Sequence, residues 1–134
     1  MKQAIAAGAS FVARTSSTNP AHLLQMMEAA MDHEGFSFIE CLSECVEFYE
    51  GAFDAANPRK GGVFNTVPAD HDVGNEAAAY KLASEPFPGY FGLFYKTIKP
   101  TKNAKEAGIT EKASAKFQGL KDWQILQKSF DAMK

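Results

Sequence analysis

Residues 39–50 read IECLSECVEFYE and combine two thiols with four carboxylates, with no basic residue among them. Cys41 and Cys45 stand four positions apart, so the pair could serve a metal site or a redox couple. A third possibility is a cysteine at a strand end that works with groups from elsewhere. A lone C-x₃-C lacks the second ligand pair of a zinc site, and burial of both cysteines as small hydrophobic side chains is the simpler interpretation.

Other residues of catalytic or metal-binding type each have a structural interpretation beside the functional one. The acidic residues of this region, Glu40, Glu44, Glu47, Glu50 and Asp54, fit a solvated rim as well as a catalytic set. The segment ADHDV at 69–73 resembles a metal triplet, but it also suits a helix N-terminus, where the helix dipole favours acids. His22 and His33 flank a predicted surface helix, and we interpret them in the same structural way.

The stretch NPRKGG at 57–62 contains glycines that could expose N–H groups to a phosphate, with Arg59 and Lys60 adding charge. It precedes no clear helix, which favours a solvated loop. The sequence contains no P-loop, G-x-G-x-x-G, G-x-S-x-G or H-E-x-x-H motif. Composition and spacing alone therefore leave the function open.

The elements that must position these residues read as an α/β domain. A strand at 10–15 precedes a helix that begins at Pro20 behind an Asn19 cap and runs to about Glu34, where Gly35 closes it. The next strand, 36–42, is apolar on both faces, as strands of covered parallel sheets are. Strand, helix and strand predict a right-handed βαβ unit. Cys45 follows the carboxyl end of its second strand, which is where α/β sites form.

The remaining segments extend this domain and add a tail. We predict a short helix that stops at Gly8, a long ordered loop at 51–68, a helix capped by Asp70 or Asp72 that runs to about Ser84, and a third apolar strand at 90–96. Three strands are few for a covered parallel sheet. We therefore expect residues 1–101 to be the latter part of a larger α/β domain. A helical tail at 102–134 carries an apolar stripe of Leu120, Trp123, Leu126 and Phe130.

Composition excludes several classes of function. The 134-residue chain has a net charge of −2, which argues against nucleic acid as the main partner. Residues 1–99 hold seven Lys/Arg against twelve Asp/Glu, whereas residues 100–134 hold seven against four, a division that could suit a partner subunit. No run of about 18 apolar residues predicts a membrane span, and no signal peptide is expected. Cytoplasmic localisation is the default expectation.

Three segments in this order resemble one enzyme family: AIAAGASFVAR at 4–14, the helix and strand at 19–45 that end in LSEC, and PGYFGLFYKTIKPT at 88–101. Together they resemble the C-terminal part of the thiamine-diphosphate-binding β subunit of 2-oxoacid:ferredoxin oxidoreductases, the pyruvate and 2-oxoglutarate synthase type. The resemblance implies the C-terminal portion of a thiamine-diphosphate-binding fold, with a partial parallel sheet, flanking helices and a helical tail. It also implies oxidative decarboxylation of a 2-oxoacid to an acyl-CoA, with electrons passed to ferredoxin.

The resemblance assigns a role to one cysteine. Leu42-Ser43-Glu44-Cys45 matches the family's Leu-Ser-Pro-Cys turn, which implies that Cys45 is a ligand of a [4Fe–4S] cluster, whereas Cys41 matches no ligand position. The chain departs from the family in having Glu44 in place of proline. It also lacks the Gly-Asp-Gly motif for diphosphate and magnesium and the family's early cysteines. We therefore expect a cut piece or a separately encoded fragment that is inactive alone and binds no thiamine diphosphate, magnesium or cluster by itself.

The resemblance also implies partners, namely the rest of the β subunit, an α subunit and ferredoxin. We expect the isolated chain to form a homo-oligomer through its tail or through the strand near Phe91–Tyr95. A non-catalytic α/β module that binds a partner protein is the alternative, and a thiol-redox protein using Cys41 and Cys45 is a weaker one. The sequence leaves open which 2-oxoacid is the substrate.

Overall fold

A three-stranded sheet with helices on both faces organises the first of two units, Met1–Lys99, and the second is Pro100–Lys134. The computed structural model describes residues 1–45, 47–99, 108–109, 111–112 and 115–132. The first unit comprises α1 (Lys2–Ala6), β1 (Phe11–Ser16), α2 (Pro20–Met31), β2 (Ser37–Leu42), α3 (Glu76–Leu82) and β3 (Gly92–Lys96), and the second contains α4 (Asp122–Asp131). The α/β fold class predicted from the sequence is confirmed.

The sheet has the order β2-β1-β3 and is mixed. Strands β1 and β2 run parallel, from Phe11 opposite Ser37 to Ser16 opposite Leu42, with α2 as the crossover, which confirms the predicted βαβ unit. Strand β3 runs antiparallel to β1, so this third strand does not continue the parallel sheet. The apolar pattern of a strand is the same in either direction, and it therefore could not predict this reversal.

The central strand β1 is covered on both faces. Phe11 and Ala13 pack with Met26 of α2 on one face. On the other face, Val12 joins a cluster that contains Ile5 of α1, Ala79 and Ala83 at α3, and Phe94 and Tyr95 of β3. Helices therefore cover both faces of the sheet at β1, which gives three layers. Each helix buries its apolar side against the sheet in this arrangement.

Helix boundaries follow from side-chain caps. Asn19 Oδ1 accepts from His22 N at 3.2 Å and Pro20 occupies the first helical position, as predicted. Helix α2, however, ends at Met31 and not near Glu34. The chain leaves the helix early because the residues after it return to β1, where Phe36 N donates to Ser10 Oγ at 3.0 Å.

The cap of α3 differs from the prediction. Asn75 precedes the helix, and its Oδ1 accepts from Ala78 N at 3.0 Å. Asp72, one of the two predicted caps, instead accepts from Gly74 N at 2.9 Å in the preceding turn. The predicted cap at Asp70 or Asp72 was therefore wrong, since the helix starts later, at Glu76.

The two outer edges of the sheet differ. Phe91, Phe94 and Tyr95 are buried, and the segment 65–73 of the same chain hydrogen-bonds along the outer side of β3. The open edge expected near Phe91–Tyr95 is therefore covered, and the association predicted through the tail or through this strand stays a prediction. Strand β2 forms the opposite edge, and its residues are half-buried or exposed, in contrast to the two-sided coverage predicted for it.

The loop at 51–68 contains two 3₁₀ helices, Asp54–Ala56 and Pro58–Lys60. Val63 N donates to Ala55 O at 2.9 Å, which folds the loop back on itself. A side chain at Gly62 would collide with the backbone of Asp54 and Ala55, so glycine is required for this close approach. The predicted ordered loop therefore has a defined local structure.

Helix α4 is the clearest element of the second unit. Gln124 Oε1 accepts from Lys121 N at 2.9 Å where the helix begins. Trp123, Leu126 and Phe130 are exposed, in agreement with a stripe that still needs a surface to pack on. The helical tail predicted for 102–134 lies partly outside the described residues. Among the described residues, no helix has the length and apolar character needed to cross a membrane.

Candidate functional site

The carboxyl ends of the parallel strands β1 and β2 lie side by side. Ser17 N donates to Leu42 O at 2.9 Å, which joins the two strand ends. The buried hydroxyl of Ser16 bonds Thr18 Oγ1 at 2.9 Å and donates to Leu42 O at 3.3 Å. This edge is therefore polar and fixed by hydrogen bonds, as at the ligand-binding edge of other α/β sheets.

Cys45 lies in the turn three residues after β2. Its carbonyl accepts from Tyr49 N at 2.9 Å, which closes the turn, and its thiol is free and exposed. Cys41 lies within β2, and its thiol is also free and exposed. The expectation that both cysteines are buried small hydrophobic residues was therefore wrong, because Cys41 lies on an edge strand and Cys45 lies in a turn after it. The position of Cys45 at the strand end agrees with the sequence.

An ion-pair cluster holds the turn before Cys45. Glu44 Oε1 accepts from Gly51 N at 2.7 Å and lies 3.3 Å from Lys60 Nζ. Lys60 Nζ also lies 2.9 Å from Asp54 Oδ1. The pKa of Lys60 is raised because Asp54, and then Glu44, accept hydrogen bonds from its ammonium group. We refer to Glu44, Lys60 and Asp54 as the Lys60 cluster, and it ties the Cys45 turn to the loop.

The acidic residues therefore do not form one set. Glu40 Oε2 accepts from Arg14 Nε at 2.6 Å, across paired positions of β2 and β1. Glu47 and Glu50 are exposed. Three of the five predicted carboxylates thus have a basic partner, and a purely solvated rim describes only the other two.

The segment 57–62 contributes one basic residue to a cleft. Asn57 Oδ1 accepts from Arg59 N at 3.1 Å and begins the second 3₁₀ helix. Arg59, with Asn57 and the start of α2 from Thr18 to Ala21, lines a cleft of about 350 Å³. Lys60 is instead held by Glu44 and Asp54. Arg59 and Lys60 therefore have different surroundings, whereas the phosphate site considered from the sequence would have used both charges together.

The three histidines have structural partners. Thr15 Oγ1 lies 2.8 Å from His22 Nδ1, and burial lowers the pKa of His22. Ser10 Oγ lies 2.9 Å from His33 Nε2; burial and then the charge of Lys96 lower the pKa of His33. His71 Nε2 donates to Phe94 O at 2.8 Å. These contacts support the structural interpretation of His22 and His33, whereas the ADHDV segment lies in the turns before α3 and not at its N-terminus.

Among the described residues, no group of three or more His, Cys, Asp or Glu side chains could hold a metal ion. Cys45 is an accessible thiol that follows the end of β2. Alone, the described residues do not fit a magnesium–diphosphate site, which needs several oxygen ligands in fixed positions.

Sequence reasoning missed Arg14, and it named Lys60 without predicting its ion pairs with Glu44 and Asp54. The signal for Arg14 was a charged residue within the strand β1, since such a residue requires a partner nearby. No local pattern indicated that Lys60 would meet Glu44 and Asp54.

Comparisons with known proteins agree with the resemblance in the sequence. No protein-family model matches the chain. It is 29% identical over 118 residues to the 2-oxoglutarate synthase subunit KorB of Methanothermobacter marburgensis, covering 87% of the chain and 40% of that subunit. It is 42% identical over 48 residues to KorB of Methanocaldococcus jannaschii, covering 36% of the chain and 18% of that subunit.

A solved structure gives the same result for the fold. The chain matches the 2-oxoglutarate:ferredoxin oxidoreductase from Magnetococcus marinus, solved with 2-oxoglutarate, coenzyme A and succinyl-CoA bound, at a TM-score of 0.75 and 27% identity. The match covers 94% of this chain and 42% of that chain. The chain therefore spans less than half of each of these relatives, and it is similar in sequence and in fold to part of a 2-oxoglutarate oxidoreductase subunit.

Proposed function

We propose that the chain is the C-terminal part of the thiamine-diphosphate-binding β subunit of a 2-oxoacid:ferredoxin oxidoreductase. The observation that carries this proposal is the match of 94% of the chain to the Magnetococcus marinus enzyme at a TM-score of 0.75. The substrate that we propose is 2-oxoglutarate, because the two KorB relatives and the solved enzyme carry that substrate in their names. The complete enzyme would convert 2-oxoglutarate and coenzyme A to succinyl-CoA and CO₂ while reducing two ferredoxins.

In this proposal, Cys45 supplies one ligand of a [4Fe–4S] cluster. Its exposed thiol and its place after β2 support that role. A cluster needs about four thiolates, whereas the chain has two cysteines, so other ligands must come from another part of the enzyme. A cluster bound there would pass electrons toward ferredoxin. Because Lys60 neutralises part of the charge of Glu44, the acid beside Cys45 is less unfavourable to an anionic cluster than its sequence position suggests.

The other cofactors and partners belong to the complete enzyme. We propose that thiamine diphosphate and magnesium are held by the remaining part of the β subunit, and that the isolated chain binds neither. The partners would be that remaining part, the α subunit and ferredoxin, in the cytoplasm, and the isolated chain would self-associate. In this proposal, the contribution of the present chain to the complete enzyme is the turn that carries Cys45.

The role of Cys45 can be tested in a chimaera. The part of the Magnetococcus marinus subunit that matches this chain would be replaced by residues 1–134, and iron would be measured after anaerobic purification with its partner subunit. We expect Cys45→Ser to lower the iron content by most of the iron of one cluster, and to lower the rate of ferredoxin reduction as well. Cys41→Ser, the matched control, should leave both quantities near the parent values. Equal losses from the two variants, or no loss from Cys45→Ser, would contradict the assignment.

A thiol-redox protein is the second candidate, because Cys41 and Cys45 are both free and exposed. With oxidised glutathione as the oxidant, this function requires that a Cys41–Cys45 disulfide forms while one oxidised glutathione becomes two reduced glutathiones. The protein then loses two protons and two electrons, a mass decrease of two hydrogen atoms. We expect mixed disulfides with glutathione instead. Mass spectrometry of the oxidised chain separates these products.

A further inference from the structure

The side chain of Glu44 joins the two ends of the segment that carries Cys45. Glu44 directly precedes that cysteine, and its Oε1 accepts from Gly51 N at 2.7 Å, seven positions further along the chain. A hydrogen bond from an N–H group to a carboxylate is short and about twice as strong as one between neutral groups. This contact therefore closes the segment between Cys45 and Gly51 into a loop.

Apolar packing contributes little to the conformation of this segment. Phe48 is 93% exposed and Tyr49 is 71% exposed. Tyr49 N donates to Cys45 O at 2.9 Å, which closes a turn next to the thiol. Segments with few buried apolar contacts open easily. The polar contact at the ends of the segment is therefore important for the position of Cys45.

The donor of this contact has a specific backbone conformation. Gly51 has a φ of +74°, in the left-handed region that favours glycine. Its carbonyl accepts from Asp54 N at 3.0 Å, and a side chain at this position would lie 3.0 Å from Asp54 Oδ2. Gly51 thus links the contact with Glu44 to the first 3₁₀ helix of the long loop.

Lys60 binds the same carboxylate oxygen of Glu44, at 3.3 Å, and lies 2.9 Å from Asp54 Oδ1. The Glu44 side chain is 21% exposed and that of Lys60 is 43% exposed, so water screens this pair only in part. Glu44 and Lys60 together carry no net charge. The chain therefore holds the acid that precedes Cys45 in place and also balances its charge.

We propose that Glu44 is a positioning residue for Cys45. Its carboxylate holds the ends of the Cys45 segment together, and Lys60 supplies the charge that makes an acid compatible with an anionic cluster at this position. The inference rests on the proposed function, in which Cys45 is a cluster ligand. Glu44 stands where the family's turn has proline, whose ring would restrict the backbone directly. A hydrogen bond and an ion pair would provide that restriction in this chain.

Amide hydrogen exchange of the isolated full chain tests the positioning contact. We expect Glu44→Ala to speed exchange of the Gly51 amide about tenfold, and Glu44→Gln, which keeps an acceptor, to speed it less than about threefold. Glu47→Ala, which removes an exposed acid from the same segment, is the matched control and should leave the rate unchanged. The Ser17 amide, bonded to Leu42 O, should stay protected and reports that the sheet is folded. Equal Gly51 rates in the parent and Glu44→Ala chains would overturn the proposal.

Iron retention in the chimaera with the Magnetococcus marinus subunit tests the consequence for the cluster. Supporting groups around metal ligands typically change metal affinity by about tenfold to a hundredfold. We therefore expect Glu44→Ala to speed the loss of iron to a chelator by about tenfold or more. Glu44→Gln and the control Glu47→Ala should stay within about threefold of the parent rate.

The midpoint potential of the cluster that depends on Cys45 tests the charge balance. Net charge near a cluster shifts its reduction potential. Glu44→Gln removes a negative charge and should raise the potential, whereas Lys60→Met removes a positive charge and should lower it. The double variant should return close to the parent value. A role limited to protein stability would not give opposite shifts that cancel.

The remaining outcomes separate this inference from the proposed function. Parent-like iron retention and potentials in the Glu44 and Lys60 variants would overturn the inference, while the proposed function would stand if Cys45→Ser still lowers the iron content. Shifts of the same sign from Glu44→Gln and Lys60→Met would contradict the charge balance. Equal iron in the parent and Cys45→Ser chimaeras would contradict the proposed function and, with it, the positioning of a cluster ligand.

Discussion

At the scale of single residues, the turn before Cys45 depends on Lys60, which bridges Glu44 and Asp54. We predict that Lys60→Met speeds hydrogen exchange of the Gly51 amide, which donates a hydrogen bond to Glu44. It should also speed alkylation of Cys45 in a Cys41→Ser background. Because exposed ion pairs are weak, the changes should be about threefold to fivefold.

Lys60→Arg is the matched control for this prediction. It keeps the positive charge between Glu44 and Asp54, so the exchange rate of the Gly51 amide and the reactivity of Cys45 should stay near the parent values. Equal acceleration in the Lys60→Met and Lys60→Arg variants would contradict a role for the ion pairs.

Two histidines predict a pH dependence of stability. The pKa values of His22 and His33 in the folded chain are lowered from 6.5, so between the folded and unfolded values the unfolded chain binds more protons. Their contribution to stability is therefore complete above about pH 6.5 and is lost as the pH falls below it. We expect the free energy of unfolding to decrease from pH 7 to pH 5 in urea titrations.

The double variant His22→Gln with His33→Gln provides the comparison. It should show a shallower decrease in the free energy of unfolding over the same pH range, after normalisation to its own value at pH 8. A slope equal to that of the parent chain would mean that other groups cause the acid sensitivity.

The candidate site could be predicted only in part, for reasons visible at individual residues. The position of Cys45 after β2 was predicted because local sequence indicates the end of an apolar strand, whereas its role as a ligand stays a prediction. The basic partners of Glu40 and Glu44 could not be predicted, since Arg14 is 26 positions from Glu40 and Lys60 is 16 positions from Glu44. Such contacts depend on strand register and loop conformation, which charge patterns do not determine.

At the scale of elements, the cap of α3 tests the corrected helix boundary. Asn75 Oδ1 satisfies the amide of Ala78 at the helix N-terminus. We predict that Asn75→Ala lowers the free energy of unfolding by about 1 kcal/mol, the usual value of an N-cap. Chemical denaturation measures this difference directly.

Asp70→Ala is the control for that substitution, because Asp70 was one of the two caps predicted from the sequence. Its effect should stay within about 0.5 kcal/mol, as for a surface position without a cap. A larger loss from Asp70→Ala than from Asn75→Ala would favour the original boundary.

The same elements show how far the fold follows from the sequence. The βαβ unit was predicted because Asn19, Pro20 and two apolar strands are strong local signals. The direction of β3 and the coverage of its edge were not predicted, because they depend on how residues 65–73 hydrogen-bond alongside β3. The early end of α2 at Met31 likewise reflects a tertiary contact, between Phe36 and Ser10.

At the scale of the whole molecule, the first unit is a partial sheet with one completed edge and one open edge. The enclosed β1 and the covered β3 give it a core of its own, whereas β2 leaves apolar grooves on both faces. Similarity to less than half of longer subunits agrees with this incompleteness. The proposed enzyme would therefore form its complete site only when the remaining fold is present.

The most direct test of the central claim is the activity of the chimaera in which residues 1–134 replace the matching part of the Magnetococcus marinus subunit. With 2-oxoglutarate, coenzyme A and ferredoxin, we predict coenzyme-A-dependent reduction of ferredoxin at a rate clearly above that of the assembled Cys45→Ser chimaera. A chimaera that is folded and assembled with its partner subunit, but that reduces no ferredoxin with 2-oxoglutarate, would contradict the account.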